Sequence, residues 1–234
     1  MRLHPGALAS LRLIHGDELD IAEMMAAGDL TSPQSVGPMS LFKLRVSGVG
    51  YAYRPKHNEY VYRRPENYLT ERFLRRIGGL PVIWEHPPKA VLSSSEFAKR
   101  HIGSLMLAYL GDREGMPPAP GSAPEDVWAI ARIYDAGSIK DMQTGDLSTS
   151  PSVVFRDPSV NFTLQGDDGS TMLVEGPASL VDHVAICANG VWDKEAEPSG
   201  VPVDDPAQRV ADSIDALMNR VDMFAVYDRL VYPR

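Results

Sequence analysis

The chain has 234 residues, 44% hydrophobic and 23% charged, with a formal net charge of −8. That is enough for one sizeable domain or two small ones, and the acidity argues against a nucleic-acid-binding surface. The single cysteine, Cys187, excludes an intramolecular disulfide, and no apolar run reaches the roughly 20 residues of a membrane-spanning helix. These features predict a soluble protein of a reducing intracellular compartment, with neither nucleic acid nor membrane as partner.

Residues 1–40 read as an N-terminal extension. Asp17 to Ala27 fits a helix stopped by Gly28, and Thr31 to Ser40 is rich in Pro, Ser and Gly like a linker. Alternation in Leu41 to Tyr53 predicts a strand, and its phase shift near Gly48 suggests a bulge. Glu59 to Arg63 could pair with it as a hairpin. Pro65 to Arg76 carries Tyr68, Leu69, Phe73 and Leu74 at helical spacing, ended by Gly78-Gly79. Pro81 to Glu85 is a short buried strand running into His86-Pro87-Pro88. Ser93 to Glu96 reads as a capping box. Strands are predicted at Ile102 to Leu110 and Val127 to Tyr134, then a short helix at Ala136 to Thr144. Four more strands follow at Ser150 to Arg156, Asn161 to Gln165, Thr171 to Glu175 and Ser179 to Cys187. Seven or eight short strands with few helices between them predict a mainly β (α+β) domain over residues 41–192, built as a small closed β-barrel with peripheral helices. Residues 193–234 read as an acidic linker and a last helix. Its stripe of Val210, Ile214, Leu217 and Val221 must cover the barrel, pair with a second copy as a homodimer, or dock on a scaffold partner.

The chemistry-bearing residues converge on one stretch. Ser148, Ser150 and Ser152 alternate at the head of a Val-Val-Phe strand, so they share a face. Pro151 biases Ser150 toward extended backbone. A serine is a nucleophile only if a base reaches it. Of six histidines, His86 follows a buried strand and is stiffened by two prolines, and His183 lies inside the apolar run Val181 to Cys187. A regular strand would separate Cys187 from His183 by about 13 Å, at roughly 3.3 Å per residue, too far for a Cys–His pair. The same regularity turns Asp182 away from His183. That makes Asp182 a poor orienter and disfavours a zinc site from His86, His183 and Asp182. There is no P-loop, G-x-G-x-x-G, H-E-x-x-H or paired C-x-x-C, so the sequence calls for no cofactor and no metal.

The segments Gly79 to Pro88, the strand opened by Gly103, Leu147 to Phe155 and Asp182 to Ile186 together resemble the capsid-maturation (prohead) serine proteases of tailed phages, which share a fold with the herpesvirus assemblin proteases. The resemblance runs from about Leu41 to Asn189 and is carried by order and context. It implies a herpesvirus-protease-like barrel and a Ser-His-His triad of Ser150, His86 and His183. Ser150 comes 64 residues after His86, and His183 a further 33 on, similar to assemblin intervals. Many phage members carry Gly two residues after the serine and an aromatic three after. Here Pro151 and Ser152 follow Ser150, while Ser152 has Phe155 three residues on. Ser150-Pro151 resembles the Ser-Pro form of other branches, so Ser150 is preferred over Ser152, with Ser148 third. Arg156 is a weak candidate helper for the oxyanion.

The resemblance further implies a serine endopeptidase of phage procapsid maturation that cleaves scaffold protein, a segment of the capsid protein, and itself, inside the procapsid in the host cytoplasm. Covering its own barrel stays the first destination for the last helix, and the active dimers of assemblin-like proteases raise the homodimer as the second. Two rival readings remain: a non-catalytic virion or procapsid protein that keeps the protease fold, and an unrelated β binding module in which His86, Ser150 and His183 lie far apart.

Overall fold

The computed structural model describes residues 18–54, 59–166, 171–193 and 198–204. The predicted helix after Asp204 lies outside them, as do His4, His15 and His57. Eleven strands occur among the described residues: β1 (Gln34–Val36), β2 (Met39–Gly48), β3 (Gly50–Arg54), β4 (Glu59–Arg63), β5 (Pro81–Trp84), β6 (His101–Gly111), β7 (Asp126–Ile133), β8 (Ser148–Val154), β9 (Phe162–Gln165), β10 (Thr171–Glu175) and β11 (Leu180–Cys187). Short helices span Glu18–Ala27, Pro65–Tyr68, Glu71–Ile77, Ser94–Arg100 and Ala136–Met142. The architecture is mainly β with a few helices, as expected. No helix among the described residues is long and apolar enough to cross a membrane.

The strands form two sheets rather than one barrel. Seven strands run in the order β1-β2-β7-β6-β5-β11-β8, and four in the order β3-β4-β10-β9. The expectation of a closed barrel of seven or eight strands is therefore corrected. The larger sheet curls, but no backbone ladder joins β8 to β2. Its edges are stitched instead by the Thr149 hydroxyl, which donates to the Arg45 carbonyl, and by residues 200–201. Arg45 N–H donates to Gly200 O (2.9 Å), and Val201 N–H donates to Leu147 O (3.2 Å). A β-carbon at Gly200 would collide with the Thr149 backbone. The absence of a side chain there is what allows the chain to lie between the edges.

The phase shift near Gly48 marks the place where the chain changes sheets. β2 ends at Gly48, and Gly50, at φ +83°, starts β3. β3 and β4 then form the expected hairpin, with Tyr51 opposite Tyr62 and Tyr53 opposite Tyr60. The predicted helix over Pro65 to Arg76 is two pieces, because Thr70 caps a second start with its hydroxyl on Phe73 N–H (3.2 Å). Residues 31–40 are not a linker. Gln34–Val36 turns back on Met39–Leu41 as a tight antiparallel pair.

Phe42, Leu44, Val46, Val82, Leu105, Val127, Val184 and Ile186 fill the main core with Phe73 and Ile77. The helix Glu18–Ala27 packs Ile21 and Met25 on the opposite side of the sheet, against Leu41 and Ile130. The two sheets meet at a buried polar knot. Glu175 accepts from Arg63 Nε (2.5 Å), Arg54 Nη2 (2.9 Å) and the Tyr68 hydroxyl (3.1 Å). Arg63 also donates to Ser47 Oγ (2.9 Å) and lies over the rings of Tyr68 and Trp192. A buried ion pair persists only with its hydrogen bonds satisfied, and here they are supplied from both sheets.

Candidate active site

The adjacent strands β11 and β8 carry His183 and the serines, and β5 on the other side of β11 leads into His86. β11 runs parallel to β5, with Val184 beside Val82 and Ile186 beside Trp84, and antiparallel to β8. Opposite residues in a ladder share a face. The register sets Ser152 against His183, Ser150 against Ala185 and Ser148 against Cys187. All three serines therefore stand on the His183 face, while Val184 and Ile186 turn into the core on the other. β8 begins at Ser148, so Ser150 sits inside the strand rather than at its mouth.

His86 reaches this face by a turn. Glu85 N–H still donates to Ile186 O (3.0 Å), but its φ of +57° bends the chain back over β11. Positive φ is uncommon for a residue with a side chain and persists only where the surroundings enforce it. The loop beyond is pinned twice to the strands beneath. Ser152 Oγ donates to Ala90 O (2.5 Å), and Leu92 N–H donates to Asp182 Oδ2 (2.9 Å). Ser93 then caps the helix Ser94–Arg100 through Glu96 N–H (3.2 Å), as the capping box predicted. With the loop held this way, His86 Nδ1 lies 2.9 Å from His183 Nε2, their ring centroids 5.1 Å apart and tilted by 60°. His86 is exposed and His183 is fully buried.

Asp182 requires a correction. Alternation turned it away from His183, yet Asp182 Oδ2 is 2.8 Å from His183 Nδ1. The cause is a β-bulge. The β8–β11 register slips between Val181 and His183, so Val181 and Val184 both face the core although three residues apart. The extra residue is Asp182, released from the core face and placed beside its neighbour. Sequence periodicity carries no sign of the slip. The one available clue was a carboxylate inside an apolar strand, which needs a partner.

The hydroxyls sort by their bonds. Ser148, the third candidate, is buried and donates to Asp193, which also accepts from Gly190 N–H (2.6 Å) and Ser199 N–H (3.1 Å); its hydroxyl is used to anchor Asp193 to β8. Ser152 directly faces His183 but spends its proton on Ala90. Ser150 is half-buried, and its hydroxyl has no hydrogen-bond partner among the described residues. It lies diagonally from His183, where β-carbons are about 7–8 Å apart. Arg156, just past β8, is exposed, and its N–H donates to Ser179 Oγ (3.1 Å). Burial, with help from Asp193, pushes the Cys187 thiol up to about 11, so it is protonated at neutral pH and a poor nucleophile. His101 stacks on Phe97, with ring centroids 4.5 Å apart. Among the described residues, no three His, Cys, Asp or Glu side chains are grouped to hold a metal ion.

The geometry brings His86 and His183 into contact, with Ser150 and Ser152 on the same face, and adds Asp182. No known protein-family model matches the chain, and no curated protein matches it in sequence.

Proposed function

We propose that this chain is a serine endopeptidase of the prohead-protease type, with a herpesvirus-protease-like fold, acting on scaffold and capsid-protein segments and on itself during procapsid assembly. The observation that carries the reading is the 2.9 Å contact between His86 Nδ1 and His183 Nε2 beside a strand of serines. A histidine oriented by a second group is the signature of an activated nucleophile. In this reading Ser150 Oγ attacks the peptide carbonyl while His86 takes its proton, and His86 later returns a proton to the leaving amine. Backbone N–H groups stabilise the oxyanion. Ser150 is the nucleophile because the Ser152 hydroxyl is used to hold the loop that carries His86.

An orienting imidazole stabilises the imidazolium less than a carboxylate does, so turnover is slow. Confinement of protease and substrate in one procapsid compensates through effective concentration. Co-expression with the capsid and scaffold proteins of the same assembly tests the reading. Wild type trims them and Ser150→Ala does not. Untrimmed proteins in both, with particles assembled, leave the non-catalytic virion component as the answer, whereas trimming in both moves the nucleophile off Ser150.

A further inference from the structure

We propose that Asp182 is a positioning residue that fixes the proton order of the histidine pair, so that the working group is a chain of four: Ser150, His86, His183, Asp182. The inference rests on the peptidase reading and extends it to an acid that the strand pattern had excluded.

A neutral imidazole has one N–H and one lone pair, and an ionised carboxylate only accepts. At the 2.8 Å contact the proton therefore belongs to His183 Nδ1, which donates to Asp182 Oδ2. That uses the one proton of His183, so its Nε2 is an acceptor. The 2.9 Å contact must then be made by a proton on His86 Nδ1. His86 is left with its lone pair on Nε2, the nitrogen that must accept the proton of Ser150. Without an acceptor at His183 Nδ1, the opposite order is equally allowed. His183 Nε2–H would donate to His86 Nδ1, His86 would carry its proton on Nε2, and no base would remain.

The carboxylate also matters once His86 has taken the serine proton. A cation then spans the two rings, with the negative charge of Asp182 at its far end. The Asp182 side chain is 14% exposed and that of His183 fully buried, so solvent screens the pair little. The same oxygen, Oδ2, accepts Leu92 N–H at 2.9 Å, which ties the His86 loop to the bulge that created the contact. One atom thus sets both the protonation and the placement of the base.

Two substitutions separate these roles from mere packing. Asp182→Asn keeps an oxygen for Leu92 and His183 but removes the charge; Asp182→Ala removes both. The readouts are ring 15N chemical shifts of labelled protein, recorded where both imidazoles are neutral, and the split of kcat from KM on a peptide substrate. Wild type is expected to show both rings protonated on Nδ1. Asp182→Ala should give His183 an Nε2-protonated population. Asp182→Asn should lower kcat on the order of 10- to 100-fold with KM little changed, less than the cost of a wrong tautomer in a directly bonded triad. A wild-type His183 protonated on Nε2, or Asp182→Asn turning over at the wild-type kcat, overturns the proposal. Labelling of Ser150 by a fluorophosphonate in the same sample fails only if the peptidase reading fails, whereas the nitrogen shifts fail only if the proton order is wrong.

Discussion

Ser152→Ala discriminates most sharply between the two serines that face His183. The substitution removes one hydrogen bond, the 2.5 Å contact from Ser152 Oγ to Ala90 O, and leaves that carbonyl to solvent or to a water. The net loss from one such neutral bond is about 0.5–1.5 kcal/mol. For a domain of this size that lowers Tm by roughly 2–4 °C. The second pin of the loop, Leu92 N–H on Asp182 Oδ2, is untouched. His86 keeps one of its two anchors, so peptidase activity should fall by less than about tenfold, a loss of about 1.4 kcal/mol in transition-state stabilisation. Ser150→Ala, by contrast, should leave Tm unchanged and remove on the order of 10³-fold or more of the activity, as loss of a nucleophile does. Scanning calorimetry and a quenched-fluorescence peptide assay on both variants make the comparison. If Ser152→Ala is dead while Ser150→Ala still cleaves, the assignment of anchor and nucleophile is reversed.

Three further outcomes follow. His86→Ala should lose nearly all turnover and His183→Ala less, read as kcat on one substrate; wild-type activity in His183→Ala would remove it from the site, although members of a cooperative unit can cost nearly the same. Glu175→Gln strips the charge that pairs Arg63 and Arg54 where the two sheets meet, and should cost about 3–5 kcal/mol in urea unfolding; a loss under about 1 kcal/mol would mean that the buried arginine is compensated elsewhere. Cys187, with its thiol raised to about 11, should be only about 0.1% thiolate at pH 8. Its iodoacetamide alkylation in the native state should therefore run on the order of 100-fold slower than that of an unfolded control and climb about tenfold per pH unit; equal rates would contradict the burial that raises it.

The sequence spelled out strands where polar and apolar residues alternate or where apolar runs are short and bounded by turns. Thr171 to Glu175 is a strand over those same residues, and Glu59 to Arg63 pairs with the strand before it as the expected hairpin. The parallel pairing of β4 with β10, which makes the second sheet, joins residues more than 100 positions apart, and no local pattern encodes it. The open edge between β2 and β8 was equally hidden, because it depends on residues 200–201 crossing over Thr149. At the site, the contact of His86 with His183 was suggested by order along the chain and by resemblance. It depends physically on the left-handed turn at Glu85, which a glutamate does not announce. Asp182 escaped because Leu180 to Cys187 is nearly all apolar. Alternation there gives no phase, and a one-residue bulge reassigns every face.

In the proposed peptidase, Ser150 is a nucleophile activated by His86. Mass spectrometry of the wild-type protein after treatment with a fluorophosphonate probe tests it most directly, because the adduct names the reacting atom's residue without any knowledge of the natural substrate. A Ser150 nucleophile should give a single covalent adduct on Ser150, absent in Ser150→Ala and strongly slowed in His86→Ala. An unmodified wild type, or an adduct whose rate is the same with and without His86, would contradict it.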